Sequence, residues 1–196
     1  ELAIKNKGSF SLVLSGGTTP VNVYKLLAKE QVDFEKWHIY FGDERCFPLD
    51  HLERNSNVAE STWLSKVKIL KSNIFIIPAE LGNTEGALAY EKILDKNKPF
   101  DLVILGLGDD GHIASLFPKH QWDNSKQVVS VSNSPKAPSD RISLTPSRLS
   151  NAEDVLFLIS GKNKVNAFKQ WKGGVDLPAN LISAKNKISI MTFDIA

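Results

Sequence analysis

The sequence is poor in the features that mark several large classes of protein. It has a single cysteine, Cys46, among 196 residues. That excludes an internal disulfide and a cysteine-based metal cluster, and it fits a reducing compartment, so a cytoplasmic location is expected. No apolar run approaches the roughly 20 residues needed to cross a bilayer, and no secretory leader pattern opens the chain. Neither sign of charge dominates, since 24 Lys+Arg against 22 Asp+Glu leave +2. The densest basic run, "KVKILK" at residues 66–71, reads as the solvated flank of a helix. Nothing resembles the concentrated basic face that nucleic acid demands. Internal repeats, low-complexity tracts and linkers are lacking too. Neither nucleic acid nor a membrane is an expected partner.

What is present suits one globular domain spanning residues 1–196, with 42% hydrophobic and 23% charged residues. Candidate strands cover residues 10–14, 38–41, 74–77, 101–105, 128–131, 141–144, 154–159 and 188–192. Several are apolar throughout, as in a parallel sheet buried on both faces. Helical patterns lie between them, at residues 57–67, 84–94 and 162–171 and after Thr19-Pro20. There the hydroxyl is expected to cap the first turn and proline to occupy its first position. This alternation predicts a three-layer α/β/α domain with a mostly parallel sheet. The opening "ELAIKNKGSF" reads as the tail of a helix running into a strand, so a further N-terminal segment is expected to precede it.

Three polar signatures follow strands, at the edge where parallel sheets bind ligands. "SGGTTP" (15–20) offers glycines, hydroxyls and a helix start, either as a phosphate site or as a plain strand-to-helix turn. It lacks the Gly-Lys-Ser/Thr ending of a Walker loop. "GDERCFP" (42–48) places Asp43, Glu44 and Arg45 at a strand end, as a solvated turn or as substrate contacts. Cys46 beside them reads as packed and incidental. "GLGDDGHIASLFP" (106–118) contains G-x-G-x-x-G. However, only residues 112–117 separate the last glycine from Pro118, which leaves little more than a turn of helix, and Asp109 and Asp110 would repel a pyrophosphate. The better reading is a turn presenting His112 for proton transfer, against a histidine that merely caps the short helix. His38, His51 and His120 need no special role.

Taken in order, "SGGTTP", "DERCFP", "NSN", "FDLVILGLGDDGHIASLFP", "RISLT" and "GKNK" resemble the 6-phosphogluconolactonase family of the oxidative pentose phosphate pathway. The resemblance runs from Ser15 to the "LPANLI" segment near Leu181. The wider superfamily includes glucosamine-6-phosphate deaminase, whose pattern has tyrosine after Asp-Glu and continues "DGHIAFNEP". This chain has Arg45 at the first place and Leu116-Phe117 where Asn-Glu would stand, so the resemblance favours the lactonase.

That resemblance implies a small sugar-phosphate lactone as substrate, no metal or organic cofactor, and a monomer or small homo-oligomer. It implies His112 as general base, with Asp43 positioning catalytic groups and Arg45 binding substrate or stabilising negative charge. Substrate and phosphate contacts are implied for Ser15, Gly16, Gly17, Thr18, Thr19, Asp110, Gly111, Arg141 and Lys164. Departures are mild: the family usually reads "SGGSTP" and "PKPP" where this chain has "SGGTTP" and "PKAP", and Lys162 could substitute for Lys164. A deaminase/isomerase and a non-catalytic sugar-phosphate sensor are the alternatives. Retention of His112, Asp43 and Arg45 argues against the sensor.

Overall fold

The computed structural model describes residues 1–195. Its elements in chain order are α1 (Leu2–Lys7), β1 (Phe10–Leu14), α2 (Thr18–Leu27), β2 (Trp37–Phe41), β3 (Asp43–Arg45), α3 (Asn55–Thr62), β4 (Ile74–Phe75), α4 (Asn83–Ile93), β5 (Phe100–Leu105), β6 (Val128–Val131), β7 (Arg141–Leu144), α5 (Pro146–Ser150), β8 (Ala152–Ser160), α6 (Val165–Lys172) and β9 (Lys187–Phe193). Six strands form a parallel sheet in the order β4-β2-β1-β5-β8-β9. Consecutive residues of its central strands are buried together, Leu12-Val13-Leu14 and Val103-Ile104-Leu105 among them. Side chains alternate faces along a strand, so burial of neighbours means that both faces are covered. This is the three-layer α/β/α arrangement that the pattern predicts.

The strand order reverses at β1, which has β2 on one side and β5 on the other. Loops leaving the carboxyl ends of β1 and β5 therefore diverge and leave a crevice between them. Two buried tyrosines fix the strand exits beside it. Tyr24 of α2 accepts from Ser15 N at 3.0 Å and donates to Ser15 O at 2.7 Å. Tyr90 of α4 does the same for Phe41, at 3.1 and 3.2 Å. Each hydroxyl satisfies both polar groups of one backbone residue where a ladder ends.

A second, antiparallel sheet orders β3-β7-β6. The chain passes between sheets at Gly42, whose N–H donates to Leu14 O at 2.9 Å and whose carbonyl accepts from Leu144 N at 2.8 Å. β3 was not expected, because "DER" carries no apolar alternation. Its pairing, Asp43 with Ser143 and Arg45 with Arg141, comes from β7.

Local expectations need four corrections. The segment 74–77 is a strand only at Ile74–Phe75, because Ile77 O is drawn into a tight turn by Ala79 N at 2.8 Å. The helix expected over 57–67 is α3, two residues earlier at its start, then a 3-10 turn at Leu64–Lys66. Residues 67–70 of the basic run are consequently not helical. α2 begins at Thr18 rather than after Thr19: Gly17 adopts φ 96, turns the chain early and takes the cap position without a side-chain cap bond. Pro20 still sits in the first turn, where its missing N–H has no intrahelical acceptor to lose. Finally, the short helix expected after Gly111 is a tight reversal, with Ala114 at φ 47 and Ile113 bridged to Leu116. Ile113, Leu116 and Phe117 are buried by that reversal.

No helix among the described residues is long and apolar enough to cross a membrane.

Candidate active site

Residues from all three polar signatures meet in one cavity of about 260 Å³. Residues 15–20 wall one side and 106–108 another, with His112 and Ala114 beyond them. Asp43 and Arg45 enter from β3, Arg141 from β7, Asn55 from α3, and Ser160, Asn163 and Lys164 from the end of β8 and the turn after it.

The period of two in β3 sorts three adjacent charges into two jobs. Asp43 and Arg45 face the cavity, while Glu44 points the other way and is fully buried. Glu44 accepts from the backbone amides of Asn55, Ser56 and Arg45 at 2.7, 2.9 and 2.9 Å, and from Ser56 Oγ at 2.9 Å. It thus supplies from a neighbouring strand the cap that the start of α3 lacks locally. Burial pushes the Glu44 carboxyl above its ordinary value, against the pull of those amides.

Asp43 is the strut between loops. Its Oδ2 accepts from Ser115 Oγ at 2.5 Å, and Asn55 Nδ2 donates to its Oδ1 at 3.1 Å and its carbonyl at 2.9 Å. Ser115 lies in the reversal that follows His112, so Asp43 fixes that reversal without touching the imidazole. Asn55 leaves no room for a side chain at position 16, since a Cβ on Gly16 would overlap Asn55 Oδ1. Arg45 is steadied by Nη1 donating to Glu53 O at 2.6 Å.

The partner of His112 is Asp110, two residues before it. Nδ1 and Asp110 Oδ1 are 2.5 Å apart, and the His112 amide also donates to that oxygen at 3.3 Å. This contact needs the two glycines around it. A Cβ on Gly108 would overlap both His112 Nδ1 and Asp110 Oδ1, and Gly111 adopts φ 87. Burial works against ionisation of Asp110, but the His112 hydrogen bond and charge outweigh it and hold the carboxyl at about 2. An ionised Asp110 takes the proton of Nδ1 as a hydrogen bond and leaves Nε2 as the basic nitrogen.

Asp110 and Gly111, expected among the substrate contacts, do not line the cavity. Asp110 is turned toward His112, and Gly111 packs against Leu177. The other expected residues all line it: Ser15, Gly16, Gly17, Thr18, Thr19, Asp43, Arg45, His112, Arg141 and Lys164, the last in preference to Lys162. Burial lowers the Lys164 ammonium below its ordinary value, while Asp109 pulls it back up. Burial likewise lowers Arg141, with Asp43 opposing. Sequence reasoning missed Asn55, Ser115 and Glu44 as supports. Asn55 and Ser115 stand inside the quoted "NSN" and "GHIAS" strings, yet only tertiary contact gives them a partner. Among the described residues, no group of three or more His, Cys, Asp or Glu could hold a metal ion.

Residues 1–191 match the family model described as glucosamine-6-phosphate isomerases/6-phosphogluconolactonase. The chain is 36% identical over 175 residues to 6-phosphogluconolactonase of Synechocystis sp., aligning 84% of this chain and 72% of that one. It is 34% identical over 190 residues to the Thermotoga maritima 6-phosphogluconolactonase, covering 95% and 86%. Against the chloroplastic 6-phosphogluconolactonase 3 of Arabidopsis thaliana the identity is 35% over 205 residues, and the chain spans 63% of that protein's length. The crystal structure of the Thermotoga maritima enzyme superposes with a TM-score of 0.86 at 29% identity, covering 98% of this chain and 89% of that one. The family model, the sequence matches and the superposition agree, and the chain belongs to the glucosamine-6-phosphate isomerase/6-phosphogluconolactonase family.

Proposed function

We propose that this chain hydrolyses 6-phospho-D-glucono-1,5-lactone to 6-phospho-D-gluconate, with His112 as general base. The observation that carries the reading is the Asp110–His112 pair, at 2.5 Å, set in a cavity also lined by Arg141, Lys164 and the start of α2. Nε2 of His112 takes a proton from water as the oxygen adds to C1 of the lactone. The tetrahedral intermediate collapses with cleavage of the bond from C1 to the ring oxygen, which leaves with the proton returned by His112. The amides and hydroxyls of Gly17, Thr18 and Thr19, at a helix start with no side-chain cap, suit the phosphate, together with Arg141 and Lys164. Arg45, which lines the same cavity, meets the negative charge that develops at the C1 oxygen. Asp43 keeps the His112 reversal in place through Ser115.

Leu116 and Phe117, which stand where a deaminase would carry Asn-Glu, are buried in the core. No carboxylate is available there to serve ring opening of an amino sugar.

The test follows freshly made lactone for ring opening above its spontaneous rate, alongside ammonia release from glucosamine 6-phosphate. Lactone hydrolysis that is lost in His112→Ala is expected. Undiminished hydrolysis in that variant, or ammonia release without lactone hydrolysis, overturns the proposal.

A further inference from the structure

Two adjacent aspartates at the rim of a site for an anionic substrate are an electrostatic liability. Asp109 and Asp110 oppose phosphate entry, and Asp110 is hydrogen-bonded to the His112 imidazole. Lys136, far away in sequence, answers both. Its Nζ pairs with Asp109 Oδ1 and lies 3.9 Å from Asp110 Oδ2. Asp110 therefore bridges His112 with one oxygen and faces Lys136 with the other.

The backbone of the same residue serves the opposite wall. Arg141 Nη2 donates to Lys136 O at 3.3 Å and Ala137 O at 2.8 Å, and its Nε donates to Pro138 O at 3.1 Å. Ser134 stiffens this loop, its Oγ donating to Lys136 O at 2.8 Å and accepting from Lys136 N at 3.2 Å. One residue thus joins the turn that aims His112 to the loop that aims Arg141.

We infer that Lys136 is a positioning residue that ties the His112 turn to the Arg141 loop and offsets the two aspartates beside the base. The inference rests on the lactonase reading for its purpose, but not for its measurement. The pairs are half-exposed, Lys136 being 38% and Asp109 48% accessible, so little stability comes from them. The effect instead falls on His112. The charged groups around that ring are Asp109 and Asp110 on its own turn, Lys136 on the loop before β7, Arg141 on β7, Asp43 and Arg45 on β3, and Lys164 before α6. His120 is separated from it by the Phe117 ring.

The experiment titrates the His112 imidazole by NMR in the substrate-free protein, its signal assigned by loss in His112→Gln. Removing the ammonium in Lys136→Met takes away the one cation paired with Asp109 and facing Asp110, so the imidazole is expected to titrate higher by about half a unit or more. Lys136→Arg is expected to hold the wild-type value, and Lys136→Met combined with Asp109→Asn to return most of the way. In the lactonase assay the acid limb of kcat moves up in pH by the same amount. An unchanged titration in folded Lys136→Met, whatever its melting temperature or KM, overturns the inference. A wild-type protein without lactonase activity overturns the proposed reaction instead, and the titration still decides the role of Lys136.

Discussion

Glu44 gives the sharpest test of how the site is supported, because it holds two lining residues, Arg45 and Asn55, without lining the cavity itself. Its carboxylate receives three backbone amides and one hydroxyl in a fully buried position, with Arg54 Nε 3.8 Å away. In Glu44→Gln one oxygen remains and can keep Arg45 N and Asn55 N. The new amide group then faces Ser56 N, donor against donor, and that buried N–H goes unpaired. A stranded buried donor costs about 1–3 kcal/mol, and Arg54 keeps its 2.8 Å bond to Glu80, so about 2 kcal/mol is expected. Glu44→Ala strands all three amides and leaves a cavity, for about 4 kcal/mol.

Urea unfolding reads these values directly. In a domain of this size each kcal/mol moves the melting temperature by about 2–4 °C, which predicts a drop of about 4–8 °C for Glu44→Gln. Because Asn55 begins the helix that Glu44 caps and also holds Asp43, activity at 25 °C should fall in both variants, more in Glu44→Ala. A Glu44→Gln protein within about 0.5 kcal/mol of wild type and fully active would refute the assignment of Glu44 as the cap of α3.

Asp110→Asn should lower kcat, because the amide no longer fixes the proton on Nδ1. It should also remove a stabilisation that is complete above about pH 4 and lost as pH falls toward 2, the direction required of a carboxyl depressed in the fold. With a third of that side chain in water the difference is about 1 kcal/mol, measured by unfolding at pH 6 and pH 3. Gly108→Ala puts a methyl group where His112 Nδ1 and Asp110 Oδ1 lie. It should cost about a hundredfold in turnover from a displacement of roughly an ångström, with a smaller change in melting temperature than Glu44→Ala. Tyr24→Phe strands Ser15 N and Ser15 O, for about 1–3 kcal/mol by urea unfolding, and should raise KM more than it lowers kcat because the phosphate turn loosens.

The strands of the parallel sheet were legible because both-face burial writes itself as an apolar run. β1 begins and ends where its side-chain pattern does, and so do β6 and β7 of the antiparallel sheet. Arg141, which opens β7, and Lys164 came from the family resemblance, while His112 was legible by position, as a polar group in the loop past the end of β5. β3 was not, since three charged residues have no apolar period and take their extended form from β7. The division of labour between Asp43, Arg45 and Glu44 follows only once that strand is known. The contact of Lys136, inside the quoted "PKAP" string, was hidden for a related reason: its partner Asp109 lies 27 residues away, and no local period reports a contact between two loops.

The G-x-G-x-x-G spacing shows how the same letters serve a different physics. In a nucleotide fold the glycines let a backbone approach a pyrophosphate at a helix end. Here no helix follows, and two of the three glycines are explained without any ligand. Gly108 is small so that an imidazole and a carboxylate can meet above it, and Gly111 is at φ 87 so that the chain can bring them together. Gly106 has only Ser15 Oγ within reach of a Cβ, at 3.9 Å, so its lack of a side chain matters to the open cavity rather than to the turn. The paired aspartates that exclude a pyrophosphate are then the useful part of the motif. Asp110 holds the His112 imidazole, and Asp109 pairs with Lys136 of the neighbouring loop.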